Sequence, residues 1–504
     1  MNSQTNSSRD KLSLENVTFS YDKDGDHPAL SGFDLSFPAG GISVLTGPSG
    51  CGKSTVFYIA AGIYPKYAGV LLSGSARLGG TDIAALTPEV RAHRIGMMFQ
   101  NPDLQFCMDT VYNELVFCLE NISTPREAIG DAAEDALEFC GIGHLKMRSL
   151  STLSGGEKQK AMLACAVAID PEWLLLDEPF ANIDDRSARD IAGKLKRFVR
   201  EKGKSIVAVD HKLDVWLDIA GSITVMGQGG RIALEMEDPK ICDLLGLPQL
   251  GVDIPQRPYR LRDGAAQHAG EPPEGRAGGP LILTDVSASV GPGGRKEIIR
   301  SLDAEFRAAR SHALLGESGV GKSTLLEAIC GFRKYRGRIT LAGEDIRPAP
   351  LRRPRNDIGF VFQNPQDQFV AATVYREIMI GLKARARHGD IADPGAEAER
   401  ILRNAGLWKY RQLSPYMLSQ GEQRRLALSA LIAYRPRLLI CDEPTYAQDL
   451  RSLLSVMDML DANVREGGLT LLFSTHDRKL SRDYADHIWE LTSEGIYEID
   501  QSDL

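Results

Sequence analysis

Along the chain, short fully apolar runs alternate with longer stretches of helical periodicity. "GGISVLTG" (40–47) is apolar on both faces, as is "WLLLD" (173–177), and "SIVAVD" (205–210) repeats the pattern. Four to eight continuous apolar residues bounded by turn signals predict strands of a parallel sheet covered on both faces. The first run leads into "STVFYIAAGI" (54–63), whose spacing predicts a helix. Residues 101–152 lack clear strands and read as a helical insertion. The predicted class is α/β, with a mostly parallel sheet and helices on both faces.

This pattern is written twice. "GPSGCGKST" (47–55) returns as "GESGVGKST" (316–324), 269 positions later. Then come "MMFQNPDLQF" (97–106) and "FVFQNPQDQF" (360–369), "LSGGEKQK" (153–160) and "LSQGEQRR" (418–425), "WLLLDEP" (173–179) and "LLICDEP" (438–444), "VDH" (209–211) and "STHD" (474–477). Ser154 to Asp177 is 23 positions, as is Ser419 to Asp442; Glu178 to His211 is 33, as is Glu443 to His476. The chain is therefore a tandem duplication, with modules predicted at 10–245 and 281–500. Between them, 246–280 is punctuated by Pro and Gly, and its second half reads as a flexible linker.

Composition adds exclusions. The 504 residues are 43% apolar and 25% charged, enough for large cores. A net charge of −8 argues against nucleic acid as the main partner. No apolar run approaches the roughly 20 residues of a membrane span, and the polar N-terminus lacks the apolar core of a signal peptide. The chain is expected in the cytosol, with any membrane contact made through a partner. Eight cysteines without a C-x-x-C signal neither zinc nor iron–sulfur, and most read as small buried hydrophobes.

The chemistry sits in the repeated motifs. G-x-x-x-x-G-K-[ST] between a strand and a helix is a P-loop. Its backbone N–H groups wrap phosphate oxygens, so side chains would obstruct it. The two loops are Gly47, Pro48, Ser49, Gly50, Cys51, Gly52, Lys53, Ser54 and Thr55, and Gly316, Glu317, Ser318, Gly319, Val320, Gly321, Lys322, Ser323 and Thr324. Lys53 and Lys322 are expected to reach the β- and γ-phosphates, and the Ser54 and Ser323 hydroxyls to ligate Mg²⁺. Asp177 and Asp442 suit Mg²⁺ coordination through water. Glu178 and Glu443, one residue on, suit deprotonating an attacking water. His211 and His476, equally spaced from the acid pairs, are assigned to the γ-phosphate and that water. Ser154, Gly155, Gly156 and Glu157, and Ser419, Gln420, Gly421 and Glu422, open helices and suit a second anion site, although such a Ser can also be a plain helix cap.

In this order the motifs resemble those of the ABC ATPase superfamily, over nearly everything outside the linker and the termini. The resemblance implies two fused nucleotide-binding domains, each with a helical subdomain, that bind and hydrolyse ATP with Mg²⁺. It also implies that the P-loop of one module faces the Ser-Gly motif of the other. One site would combine Lys53, Ser54, Gln100, Asp177, Glu178 and His211 with Ser419, Gly421 and Glu422. The other would combine Lys322, Ser323, Gln363, Asp442, Glu443 and His476 with Ser154, Gly155, Gly156 and Glu157. Gln100 and Gln363 resemble the family's Q-loop glutamine, which touches Mg²⁺ or the water. Tyr21, in "VTFSYD", fits the aromatic residue that stacks on adenine; the matching "VSASVG" puts Val290 there. Gln420 against Gly155, and "TYAQD" against "FANIDD", add to the inequality.

"QNPDLQF", "QNPQDQF", "TYAQD" and "VDHKLD" (209–214) resemble the ATPases of energy-coupling factor (ECF) transporters, importers of vitamins and transition-metal ions. That resemblance implies a coupling subunit and a substrate-binding subunit in the membrane, no nucleic acid, and a place at the cytoplasmic face of the cell membrane. Three other readings stand beside it. A fused sugar-importer ATPase usually has a degenerate second P-loop, whereas this one is intact. A translation factor of the same superfamily carries a long, charged, helical linker. A DNA-repair ATPase needs zinc cysteines.

Overall fold

The computed structural model describes residues 11–22, 28–100, 105–181, 183–239, 247–250, 252–253, 259, 279–290, 296–317, 319–347, 357–387, 389–445 and 449–501. Backbone contacts divide the chain into two compact units, Met1–Pro255 and Gln256–Leu504. Among the described residues no helix is long and apolar enough to cross a membrane.

In the first unit the chain runs β1 (Leu12–Ser20), β2 (Leu30–Phe37), β3 (Ile42–Thr46), α1 (Lys53–Ala60), β4 (Val70–Leu78), β5 (Thr81–Asp82), α2 (Pro88–Arg94) and β6 (Ile95–Met98). Then come α3 (Val111–Asn121), α4 (Arg126–Cys140), α5 (Gly155–Ala168), β7 (Trp173–Asp177), α6 (Asp185–Lys202), β8 (Ser205–Val209), β9 (Ser222–Gly227) and β10 (Arg231–Glu237). A six-stranded sheet has the order β10-β9-β3-β8-β7-β6, parallel except for β10 against β9. Its central strands β3, β7 and β8 are buried along their whole length, as their unbroken apolar runs require. A second, antiparallel sheet, β2-β1-β4-β5, packs beside it and was not foreseen from the pattern.

The helices obey local rules. In α6, Ala188, Ile191, Leu195 and Phe198 recur at helical spacing and are buried, while the Arg and Lys between them face outward. Asp184 caps its start by accepting from Ser187 N–H at 2.9 Å, and Gly203 ends it at φ 65°. The insertion is helical as expected: α3, α4 and α5 bury Leu115, Leu119, Ala133, Leu137, Met162 and Ala166 together. Each fully buried Leu contributes about 1.5–3 kcal/mol.

The second unit repeats the plan: β11 (Leu281–Val290), β12 (Lys296–Phe306), β13 (Ser311–Leu315), α7 (Lys322–Ile329), β14 (Tyr335–Leu341), β15 (Glu344–Asp345), β16 (Ile358–Val361), α8 (Val374–Ala386) and α9 (Pro394–Asn404). It closes with α10 (Gln420–Ile432), β17 (Leu438–Cys441), α11 (Leu450–Gly467), β18 (Thr470–Ser474), α12 (Arg478–Tyr484), β19 (His487–Leu491) and β20 (Ile496–Ile499). Its sheets are β16-β17-β18-β13-β19-β20 and β12-β11-β14-β15. The architecture is thus two tandem α/β P-loop NTPase domains, as the sequence led us to expect.

Register places the functional loops. In the first unit Leu45 and Asp177 both stand level with Val209 on β8. In the second, Leu314 is level with Ser474, and Cys441 with Phe473. The P-loop, the acid pair and the histidine loop therefore leave each sheet at one carboxyl edge, where ligands bind in open α/β sheets.

Candidate nucleotide sites

Each P-loop begins with a glycine that nothing larger can replace. Gly47 has φ 146°, and a Cβ there would lie 2.3 Å from Met226 O; Gly316 has φ 155°, with Leu491 O at 2.6 Å. Gly52 and Gly321, in left-handed backbone, start α1 and α7. The Lys53 ammonium is buried and donates to Gly47 O (2.8 Å) and Pro48 O (2.9 Å). Lys322 donates to Gly316 O (2.6 Å) and Glu317 O (3.2 Å). In both units the lysine folds over its own loop, and the loop and the helix N-terminus form an anion cradle. Cys51 is buried beneath the loop, and burial pushes its thiol up. Ser54 and Thr55, like Ser323 and Thr324, lie in the first turn of the following helix. Gly50 and Gly319 have positive φ, Val320 N–H reaches Glu317 O at 3.4 Å, and Ser318 is outside the described residues.

The two cradles differ at the rim. Tyr21 is half exposed, its hydroxyl 2.8 Å from Thr55 Oγ1 and its ring edge-on to Phe19 and Tyr64 at 5.2 and 5.9 Å. In the second unit Val290 ends β11 without an aromatic ring, and nearby Arg333 donates to Ser289 O at 3.4 Å while paired with Glu327.

Asp177 ends β7, and its Oδ2 is buried with no hydrogen-bond partner. Burial, reinforced by the neighbouring Glu178 charge, raises its pKa to about 8. Glu178 and Glu443 both adopt left-handed backbone, φ 48° and 47°, unusual for a side-chain-bearing residue and frequent at functional sites. Glu178 N–H is held by Val209 O (2.8 Å), and its Oε1 lies 3.2 Å from His211 Nε2. Burial opposes the Glu178 charge, but hydrogen bonds from His211 and Gln100 and the charges of His211 and Lys53 more than offset it and hold the carboxyl below the ordinary glutamate range. Gln100 thus reaches the acid pair from the end of β6.

In the second unit Asp442 accepts from Ser474 Oγ at 2.6 Å and from Ser323, and burial raises its pKa. Glu443 N–H donates to Ser474 Oγ (2.9 Å), and Glu443 Oε1 is 3.5 Å from His476 Nδ1. Gln363 follows β16, and its carbonyl accepts from Arg424 of α10 at 2.5 Å.

The sequence reading missed several of these partners. Asp210 precedes His211 and is buried; its Oδ2 accepts from the indole N–H of fully buried Trp216 (2.8 Å), and Trp216 packs on Phe180, two residues after Glu178, at 5.0 Å. Burial and the Glu178 charge raise Asp210 to about 6. Gln159 of α5 donates to Glu178 O at 2.8 Å. Only the equal spacing of the two histidine loops pointed to this neighbourhood.

Ser154 and Ser419 are N-caps of α5 and α10. Each forms a capping box, Ser154 N–H to Glu157 Oε2 at 2.8 Å and Ser419 N–H to Glu422 Oε2 at 3.0 Å. Gly155 and Gly156, and Gln420 and Gly421, form the first turns that follow; Gly155 and Gln420 are exposed, Gly156 is buried and Gly421 is half-buried. The plain cap is therefore real within each unit, and it fixes the N–H groups of that turn in place.

Among the described residues no group of three or more His, Cys, Asp or Glu is arranged to hold a metal. Instead, the first unit offers the orphaned Asp177 Oδ2, and the second offers the Asp442 carboxylate beside the Ser323 hydroxyl. That donor set fits a hard cation that completes its shell with phosphate and water.

The ABC transporter family profile matches residues 30–181 and 299–446. The chain belongs to that family. It is an ATP-binding ATPase with two such domains in tandem. It is 33% identical to a candidate HMP/thiamine import ATP-binding protein of Bacillus subtilis (strain 168), over 96% of this chain and 90% of that one. A candidate ABC transporter ATP-binding protein of Methanosarcina acetivorans is 30% identical over 95% and 84%. An archaeal ribosome recycling factor, solved with a ribosomal stalk protein, superposes with a TM-score of 0.61 over 94% of this chain and 87% of that one. At 18% identity this is a likeness of fold alone.

Proposed function

We propose that the chain is the motor of an ECF-type importer of a vitamin or transition-metal ion. One observation carries the reading: both units have an intact P-loop lysine and a left-handed glutamate facing a histidine, at 3.2 and 3.5 Å. Two working centres suit a motor that closes on two ATP molecules. Import is supported by the name of the Bacillus relative, and the ECF class by the "QNPDLQF" and "QNPQDQF" segments.

In this reading Lys53 and Lys322 hold the β- and γ-phosphates, and Tyr21 stacks on adenine. Ser54 with Asp177, and Ser323 with Asp442, hold Mg²⁺, with Gln100 and Gln363 beside it; the ion neutralises phosphate charge. Glu178 and Glu443 take a proton from water as its oxygen bonds the γ-phosphorus and the bond to ADP breaks. His211 and His476 orient that water. Ser419, Gln420, Gly421 and Glu422 complete the first ATP site, and Ser154, Gly155, Gly156 and Glu157 the second. Losing phosphate removes the charge that bridges the domains, and they part. Coupling and substrate-binding subunits in the membrane receive the motion at the cytoplasmic face.

The test is purification of the tagged chain from detergent-solubilised membranes, with partners identified by mass. The reading expects a multi-span subunit with a small substrate-binding membrane protein; ribosomal proteins in their place would overturn it.

A further inference from the structure

The two histidine loops are built differently, although they occupy equivalent positions. Lys212 follows His211, and Asp477 follows His476. In the first unit the stretch after the sheet returns to this place. Leu247 and Val252 are buried in the core, and the next residue, Asp253, pairs through its backbone with Lys212. In the second unit Tyr259 does the corresponding thing. Its hydroxyl donates to Asp477 Oδ2 at 2.9 Å, and its N–H donates to Asp483 Oδ2 at 2.6 Å. Lys479 Nζ lies 3.9 Å above its ring, and the ring packs on the core under α11 and α12.

Asp477 is a constrained residue. Its other oxygen, Oδ1, caps α12 by accepting from Leu480 N–H at 3.0 Å, and its own N–H donates to Thr475 Oγ1 at 3.0 Å. His476 sits between Thr475 and Asp477, with Nδ1 3.5 Å from Glu443 Oε1. A group that fixes the Asp477 carboxylate therefore fixes the backbone from which His476 projects. Asp483 is buried, and it too is anchored by Tyr259. The residue that does this lies outside both duplicated motif sets, in the stretch joining the modules.

We infer that Tyr259 is a positioning residue for His476: the joining segment, through this one side chain, sets the second catalytic loop. The inference rests on the proposed roles of Glu443 and His476. It assigns work to a stretch whose Pro and Gly suggest only a tether. Asp253, beside the residue after His211, is its counterpart in the first unit.

The test is ATP turnover of the full chain in two backgrounds. Glu178→Gln leaves the second centre as the reporter, and Glu443→Gln leaves the first. Tyr259→Phe removes only the hydroxyl; Tyr259→Ala also removes the ring, and thermal melting checks that both variants fold. In the Glu178→Gln background we expect both to lower kcat on the order of tenfold, short of the hundredfold that gross misplacement costs, with KM for ATP unchanged. In the Glu443→Gln background turnover stays at its parent level. Unchanged kcat at the second centre, with Glu443→Gln still abolishing that centre's turnover, overturns the inference and leaves the catalytic reading standing. Equal losses at both centres overturn it as well, because they report general loosening. If Glu178→Gln alone hydrolyses nothing, the second centre is not catalytic, and the reading and the role of Tyr259 fall together.

Discussion

Glu178 Oε1 lies 3.2 Å from His211 Nε2 on a backbone held at φ 48°. The same strained conformation recurs at Glu443, whose carboxylate faces His476. Positive φ also recurs at the equivalent pairs Asn16/Asp285 and Asp170/Arg435, so what marks Glu178 and Glu443 as candidate bases is the histidine that each carboxylate faces. Replacing Glu178 and Glu443 together by Gln keeps shape and removes the base. We expect ATP turnover to fall by at least about a hundredfold while ATP binding persists. Phosphate release and nucleotide binding on the same preparation check this, and undiminished release would remove both glutamates from the mechanism.

Asp177 makes the nucleotide-free first unit sensitive to pH. Its carboxyl holds a proton up to about 8 when folded, against 3.8 ordinarily. A raised folded pKa contributes stability that is complete below the unfolded value and is lost as pH rises through the folded one. Ligand-free protein should therefore melt at a lower temperature as the pH is raised from about 5 to about 8. Asp177→Asn should flatten that decline. Melting curves of both proteins across this range decide it, and identical slopes would refute the assignment.

Trp216 links the segment after the acid pair to the histidine loop, through Phe180 on one side and Asp210 on the other. Trp216→Phe keeps the ring contact and deletes the donor to a buried carboxylate. A loss of about 1–3 kcal/mol is expected. Denaturant titration measures it, and a variant as stable as the parent would show that Asp210 needs no donor there.

The rims predict unequal nucleotide binding. Tyr21→Ala removes a ring that can stack on a base, and stacking is worth about 1–3 kcal/mol per base. ATP affinity should drop about tenfold or more at the first site. Val290→Ala, which removes no ring, should change little. Titration in proteins with the other P-loop lysine replaced separates the sites, and equal effects of the two substitutions would contradict the asymmetry.

The sequence disclosed what depends on local chemistry. Gly47, Lys53 and Asp177 are legible because a phosphate cradle and a strand-end acid tolerate few other residues at that spacing. Three buried strands were legible because burial on both faces writes unbroken apolar runs. β1 was not: "LSLENVTFS" breaks its alternation at Glu15 and Asn16, where its pairing with β2 and β4 shifts register. Asp210 and Trp216 escaped notice because their bond forms only when the loop turns back on itself. Tyr259 escaped because composition marks its surroundings as linker and says nothing of a single docked ring. Ser154 and Ser419 had two readings in the sequence, and the capping box settles one of them within each unit.

The central claim is that each ATP is held by the P-loop of one unit and the Ser-Gly motif of the other. A structure of the Glu178→Gln, Glu443→Gln protein with Mg²⁺ and ATP tests it most directly. The account predicts Ser419 hydrogen-bonded to the γ-phosphate of the nucleotide on Lys53, and Ser154 to that on Lys322. Two nucleotides bound with both serines turned away from them would contradict it.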